Sequence, residues 1–582
     1  MQKEFSALEE QIIREVSPDN LMQHVHEISK FVRTSGSEEE SKSLVYVKKV
    51  LESYGFKVRQ YRPETYIGEP KSATLRTVAP ESSEIKGVTA ALAPSTPPDG
   101  IEAEIVYVGA GSEAEFNKQY VHGKLVLIKE LAEPEIAKRA DNHGALGQVF
   151  INDYFAHEGI VSVVWGTPRL ETSSLLPATP CISITEKEGA FLLRLMEKGK
   201  VTGRLLTESV RGWRKIPVLT ADLQGKVERD RFVLFAGHID SWHYGAMDNA
   251  SANAIMLEVA RILSKQKNYL RRGVRLAFWS GHSHGRYAGS TWYADNFWLD
   301  LERKCVAHVY TDSAGAKGAT ALTEASVMPE TMDLAAATIK RVTGQKLTGR
   351  GFSRAGDQSF WGIGIPSMFM LLSEIPVEAG KKNPELRTVA LFGPSPTGLG
   401  WWWHTPEDTE DKIDRSNIKR DATVYVLVTF ALCSRPIIPL NYENAAKQLK
   451  QTLTDLQQAG NGNFDLQPLV TQATKLVTAT KKLNVRTKKM KRVEKKIEVY
   501  NKAIMRLSRI LVPLTQTRIG RYDHDLAIPI PPLPTLDAIR KLPQFGQDSD
   551  EFKFLNNGLR RNENQVADAL DKAIEIIDEA LA

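Results

Sequence analysis

A chain of 582 residues is too long for one hydrophobic core and predicts roughly three or four domains. With 42% hydrophobic and 25% charged residues, no low-complexity tract and no short-period repeat, the composition excludes a fibrous or disordered protein. The formal charge of +6 is small for this length and points to neither nucleic acid nor a membrane surface as a partner.

The N-terminus, Met1-Gln-Lys-Glu-Phe-Ser6, is polar and lacks the apolar core of a secretory signal, and no apolar run approaches membrane-spanning length. Cys181, Cys305 and Cys433 are widely spaced in apolar sequence, which fits buried free thiols better than a disulfide framework. A cytoplasmic protein is expected on these grounds. Residues 6–60 read as two helices and a strand. Leu21–Val32 is amphipathic, Ser37 caps a second helix over Ser41–Tyr54, and Gly55 ends it ahead of the strand Phe56–Tyr61. From about 62 to 210 the pattern shifts to short strands split by Pro, Gly and Ser. Ile101–Val108, Gly123–Lys129 and Gly147–Asn152 read as strands, and Ile136–His143 reads as a helix. This stretch reads as a small separate module with no clustered metal ligands.

From about 216 the pattern is strongly α/β. The apolar run Arg231–Ala236 reads as a buried strand, and Ala252–Leu263 reads as a helix capped by Asn249 or Ser251. Between them lies His238-Ile-Asp240-Ser-Trp-His243-Tyr-Gly-Ala-Met-Asp248-Asn249. The strand Val274–Trp279 runs into Ser280-Gly-His282-Ser283-His284-Gly285-Arg286, ahead of a helix over Gly289–Phe297. Cys305–Tyr310 reads as a further strand and ends in Thr311-Asp312-Ser313. Successive strands thus end in loops rich in potential ligands, where an open α/β sheet places its chemistry. Imidazole and carboxylate together suit a divalent transition metal, zinc above all. The alternative is a set of polar loops whose acids cap the following helices. Further on, Gly356-Asp357-Gln-Ser-Phe360 precedes a strand pattern over Gly364–Met370. In Trp401-Trp-Trp-His404-Thr-Pro-Glu407-Asp408, one histidine precedes acids that read as helix caps.

Residues 438–582 read as helical. Between Lys475 and Lys502 lie eleven Lys or Arg and two Glu, with no aromatic stacking platform, so the run reads as the solvated face of a long helix. Ile528-Pro-Ile-Pro-Pro-Leu-Pro534 reads as a rigid extended connector, and Val566–Leu581 as an amphipathic helix.

The order His238-x-Asp240, Gly245-Ala-x-Asp248-Asn-Ala-Ser251, Gly281-x-x-x-Gly285-x-x-x-Gly289-Ser290, Tyr310-Thr-Asp312-Ser and Trp403-His404-Thr-Pro-x-Asp408-Thr resembles the zinc-dependent aminopeptidase family that includes glutamate carboxypeptidase II and the transferrin receptor. Residues 1–62, with Arg33-Thr-Ser-Gly-Ser37, are similar to the family's first peptidase segment, and residues 63–212 to its inserted, β-rich protease-associated domain. Residues 213–437 resemble the second peptidase segment. Residues 438–582, with Tyr500-Asn-Lys-Ala-Ile504 and Gly520-Arg-Tyr-Asp-His524, resemble the helical dimerisation domain of the receptor branch. The resemblance implies an aminopeptidase-like (phosphorylase/hydrolase-like) α/β open sheet with helices on both faces, and a homodimer. It also implies that His238 and Asp312 hold one divalent ion, that Asp248 bridges two, and that His404 holds the second. Asp240 would stand behind His238 and orient its ring.

Two adjacent glutamates of that family, a general base and a ligand, are replaced here by His282 and Ser283. His282 is expected either to move the proton or to replace the lost ligand, with His284 as the other candidate ligand. A hydrolytically inactive site is the third outcome. Trp403 stands where relatives often have Tyr. Trp403, Arg286 and Arg354 are the candidate substrate-binding residues, the arginines for a substrate carboxylate, and neighbouring indoles either belong to the core or wall a pocket. His243 reads as a pocket-lining or hydrogen-bonded surface residue. The expected function is metal-dependent hydrolysis of an amide C–N bond in a small molecule or short peptide, with one or two ions, most simply zinc. A non-catalytic binding or scaffold protein, and an enzyme using another metal, are the competing readings.

Overall fold

The computed structural model describes residues 2–352, 356, 358–391, 395–489 and 493–582, with side chains from residue 7 onward. Its centre is a six-stranded mixed sheet in the order Lys57–Tyr61, Val218–Leu223, Arg272–Trp279, Glu228–His238, Cys305–Tyr310, Ser367–Met368. Glu228–His238 pairs in parallel with both its neighbours, in a register that sets His238 beside Trp279 and Ala236 beside Tyr310. Phe232–His238 and the two neighbouring strands are buried along nearly their whole length, which is why they read as apolar runs. The chain leaves Glu228–His238 for one neighbour and later crosses to the other, so a crevice opens beyond their shared C-terminal edge. The expected strand over Gly364–Met370 shrinks to Ser367–Met368. Phe369 takes a positive φ of 60° and donates its N–H to Ser326 O, which turns the chain out of the sheet.

Three helices precede the sheet rather than two: Gln2–Glu15, Pro18–Ser29 and Glu38–Ser53. Ser17 and Ser37 cap the latter two by accepting the N–H groups of Asn20 and Glu40. Arg415–Ser434 packs on the central strands and on Ala252–Lys265; its residues 421–434 are buried all round, and Asp414 caps it through the N–H groups of Ser416 and Asn417.

Residues 64–215 form a seven-stranded sheet. Two of its strands are long where short ones are expected. Glu64–Ala79 and Thr202–Lys215 pair antiparallel from Glu64 with Lys215 to Ala79 with Thr202. Entry and exit strands thus pair, closing the insert on itself, and the exit strand runs past residue 212 without a break. Along Leu125–Ile128, alternate side chains feed two apolar cores, Leu125 and Leu127 on one face, Val126 and Ile128 on the other.

The C-terminal helices Tyr442–Ala459, Gln467–Lys489, Glu494–Gln516 and Asp550–Leu581 share one continuous apolar core with the central sheet. The basic run falls on two helices, not one, and its described lysines and arginines are largely exposed. Buried Arg509 ties this region to the sheet by donating to the carbonyls of Glu302, Gly364 and Cys305 at 2.8, 2.9 and 2.5 Å. Gly364 (φ +88°) has no room for a side chain, since a Cβ there would lie 2.5 Å from Arg509 Cα. The three cysteines are free and buried. Among the described residues, no helix is long and apolar enough to cross a membrane.

Candidate metal centre

His238 ends its strand and is 1% exposed. Its Nε2 lies 3.0 Å from Asp248 Oδ1 and 3.5 Å from Asp312 Oδ2, while the second oxygen of Asp248 lies 2.9 Å from His404 Nε2. Asp248 therefore stands between two imidazoles, one oxygen facing each. The ring of His282 stacks on that of His238 with centroids 3.9 Å apart, and His238, His282 and Asp312 bring one ligand atom each within 4.8 Å of one another. His284 is not part of this group. Its Nδ1 lies 2.9 Å from Ser35 Oγ, and its ring packs on Trp242.

The loops that carry these groups are braced from several sides. Arg33 is fully buried and donates to the carbonyls of Ile239, Tyr244 and Gly245 at 2.8, 2.8 and 2.9 Å. Gly245 (φ +51°) is required there, because a Cβ would meet Asp248 O at 2.2 Å. Neither Asn249 nor Ser251 caps Ala252–Lys265 as expected. The chain enters that helix through a preceding turn over Ala246–Ser251, and the polar side chains serve the site instead. Asn249 Oδ1 accepts from Ser313 N, and Ser251 Oγ donates back to Met247 O.

Asp240 acts differently from the expectation. His238 Nδ1 meets the main-chain carbonyl of Asp240 at 2.9 Å, while the carboxylate is 3.7 Å away. That carboxylate accepts from Ser283 N and Ser35 Oγ at 2.9 and 2.7 Å, so it organises the His282–Ser283 loop. Tyr310 Oη donates to Asp312 Oδ2 at 3.1 Å. His404 Nδ1 meets Glu158 O at 2.8 Å, and Glu158 N donates to His404 O at 3.1 Å. The insert, which reads as a module with no clustered metal ligands, thus orients a histidine of the site through its backbone, which leaves no trace in side-chain identity. His157 adds a contact of its Nδ1 to Trp403 O at 2.6 Å, and burial pushes its pKa down to about 4, keeping the ring neutral. Asp408 reads as a helix cap. Instead it ties down the Met247–Asp248 backbone, while Asp414 is the acid that caps the next helix.

Burial disfavours a charged ring at His238, yet Asp312, Asp240 and Asp248 outweigh it and raise its pKa well above the ordinary value. Burial works against the Asp248 carboxylate too, but His238 and His404 hold its pKa far below normal. The carboxylates of the cluster thus favour positive charge beside them. Two of the cluster's buried atoms, His238 Nε2 and Asp248 Oδ1, make no hydrogen bond among the described residues. Orphaned imidazole nitrogen and carboxylate oxygen facing one point fit a divalent ion of the zinc type.

A cavity of about 500 Å³ opens on the cluster and is walled by both the sheet loops and the insert. Trp403 lines it and stacks on His404. Trp242, Trp279, Trp361 and Trp402 are 5% exposed or less and belong to the packing, not to its walls. Arg286 lines the cavity with its guanidinium over the Tyr287 ring and Nη2 donating to Ala527 O. Arg354 lies outside the described residues. His243 Nε2 is 3.4 Å from Glu158 Oε1.

A sheet with parallel central strands and a His/Asp cluster at their C-terminal ends makes this molecule an open-sheet α/β protein. Residues 219–428 match the model of Peptidase family M28, and this stretch is a peptidase M28 domain. Over 254 residues the chain is 26% identical to the probable glutamate carboxypeptidase VP8 of Zea mays, an alignment covering 42% of this chain and 34% of that one. Over 219 residues it is 25% identical to carboxypeptidase Q of Bos taurus, covering 34% and 44%. The chain thus spans less than half the length of these relatives. In fold it is similar to the aminopeptidase from Aneurinibacillus sp. strain AM-1, with a TM-score of 0.54 and 24% identity over 73% of this chain and 96% of that one.

Proposed function

We propose that the protein is a metal-dependent hydrolase of amide C–N bonds in short peptides or peptide-like small molecules. The observation that carries this reading is the convergence of His238, Asp248, Asp312, His282 and His404, the last four of which line a cavity of about 500 Å³. The peptidase M28 domain supports it. In this reading His238, Asp312 and His282 hold one zinc ion, Asp248 is shared, and His404 holds a second. His282 is then a ligand of the first ion, in keeping with its place in the His238–Asp312 group, and not a like-for-like replacement of the ligand that the resemblance assigns to the second ion. A divalent ion held there supplies Lewis acidity toward a carbonyl oxygen and an attacking water. The chain itself supplies position and dryness. Tyr310 fixes the Asp312 oxygen, the carbonyls of Asp240 and Glu158 fix the two histidine rings, and Leu371, Leu399 and Trp403 give the cavity apolar walls.

We assign residues 63–212 to a protease-associated insert and residues 438–582 to a dimerisation region of a cytoplasmic homodimer. Elemental analysis tests the metal site. One or two equivalents of zinc are expected in the purified protein, and Asp248→Ala should lose both. Unchanged metal content in that variant, or hydrolysis of aminoacyl anilides that survives chelation, would overturn the assignment.

A further inference from the structure

The insert contributes more than backbone to the cavity. Glu158 lines it, is 9% exposed, and keeps Oε2 without a hydrogen-bond partner among the described residues. The His243 ring stands beside its carboxylate, with Nε2 3.4 Å from Oε1. A buried carboxylate with spare acceptor capacity carries a large desolvation cost unless a cation completes it. Among the described residues no lysine or arginine forms an ion pair with it. The position of Glu158 is fixed, because its own N–H and C=O clasp His404 at 3.1 and 2.8 Å.

We infer that Glu158 is the residue that binds the free amino group of the substrate, so that the enzyme attacks peptides from their amino end. The inference rests on the hydrolase reading above and gives it a direction. In an aminoacyl substrate the ammonium nitrogen is bonded to the α-carbon next to the scissile carbonyl. The group that binds it must therefore lie beside the metal cluster, as a residue clasped to His404 does. The carboxylate of a carboxypeptidase substrate would require a cation in that place instead. Two arginines line the cavity: Arg139 is paired with Glu113 and Glu135, whereas Arg286 is stacked on Tyr287 and tied to Ala527, with Nε making no hydrogen bond among the described residues, and is suited to the far end of a short zwitterionic peptide.

The test uses the zinc-loaded full chain and binding of L-leucinamide and N-acetyl-L-leucinamide, followed by tryptophan fluorescence from Trp403 beside the cavity. Wild type should bind leucinamide at least roughly tenfold more tightly than the acetylated analogue, the worth of a charge-assisted hydrogen bond. Glu158→Gln should weaken leucinamide by about 10- to 100-fold and leave the acetylated analogue unchanged, and Glu158→Asp should recover part of the loss. Metal content should stay at the wild-type level in both variants, because the main chain of residue 158, not its side chain, holds His404. Equal affinity of wild type for the two ligands, or an equal loss for both in Glu158→Gln, overturns the inference. Glu158-dependent binding of leucinamide without any turnover would sink the hydrolase reading alone. Hydrolysis of aminoacyl anilides indifferent to Glu158 would sink the ammonium site alone.

Discussion

The carboxylate of Asp408 accepts the main-chain N–H groups of both Met247 and Asp248, at 2.8 and 2.9 Å. Its own carbonyl accepts a third, from Ala246, at 3.0 Å. The loop that carries His404 is thereby locked to the loop that carries Asp248, and the two candidate ligands cannot move independently. Asp408→Asn presents an amide that can accept only on one side and sets an N–H against an N–H on the other. Partners of this kind are worth about 10–100-fold in metal affinity. A competition titration with a chelator should show a loss in that range, and wild-type affinity in the variant would remove Asp408 from the site's support.

His282 is the residue whose role the sequence leaves open. As a ligand it predicts that His282→Ala loses about one metal equivalent and regains part of its activity in excess zinc. Full metal occupancy with turnover lowered by about two to four orders of magnitude would make it the proton-moving group instead. Full occupancy together with full activity would exclude both roles.

Away from the centre, Glu330 is fully buried, and desolvation raises its pKa from 4.5 to about 7. Its Oε1 lacks a hydrogen-bond partner among the described residues, and its charge acts on the buried Tyr442 hydroxyl. Between those two values the folded protein holds a proton that the unfolded chain releases. Stability therefore falls as pH rises through that window, and the full cost is present above about pH 7. Glu330→Gln removes the charge, so it should raise stability at pH 8 by on the order of 1–3 kcal/mol and change it little at pH 4. Thermal midpoints at the two pH values measure this, and an equal shift at both would show that the proton is not involved.

Truncation after residue 437 should not yield a folded peptidase domain. Leu449, Leu476, Leu507 and Ile577 belong to the same apolar core as Val428 and Leu234, so removing the C-terminal helices bares a large part of it. Aggregation or loss from the soluble fraction is the expected outcome. A monodisperse, cooperatively melting fragment by light scattering and calorimetry would show that the shared core is dispensable.

What could be read from the sequence were the features that local chemistry controls. The strand Cys305–Tyr310, the Ser37 cap and the buried thiols followed from apolar runs and capping residues, whose preferences act over a few positions. The candidate ligands His238, Asp248, Asp312 and His404 were visible because each follows or ends a strand, or sits in a motif, that the sequence itself displays. The length of Glu64–Ala79 was hidden because its partner, Thr202–Lys215, lies more than a hundred residues away and pairing, not propensity, holds both extended.

The sequence alone determined which residue types stand at the strand ends, and so the kind of chemistry open to the protein. Only the tertiary structure decided what each does. It gave the His238 ring to the carbonyl of Asp240 rather than to its carboxylate, turned His284 toward Ser35, and set His282 against His238. It also brought Glu158 of the insert to His404, 246 positions along the chain. Main-chain groups and long-range packing made these choices. A carbonyl is the same in every residue, and which one faces an imidazole depends on where the folded chain passes.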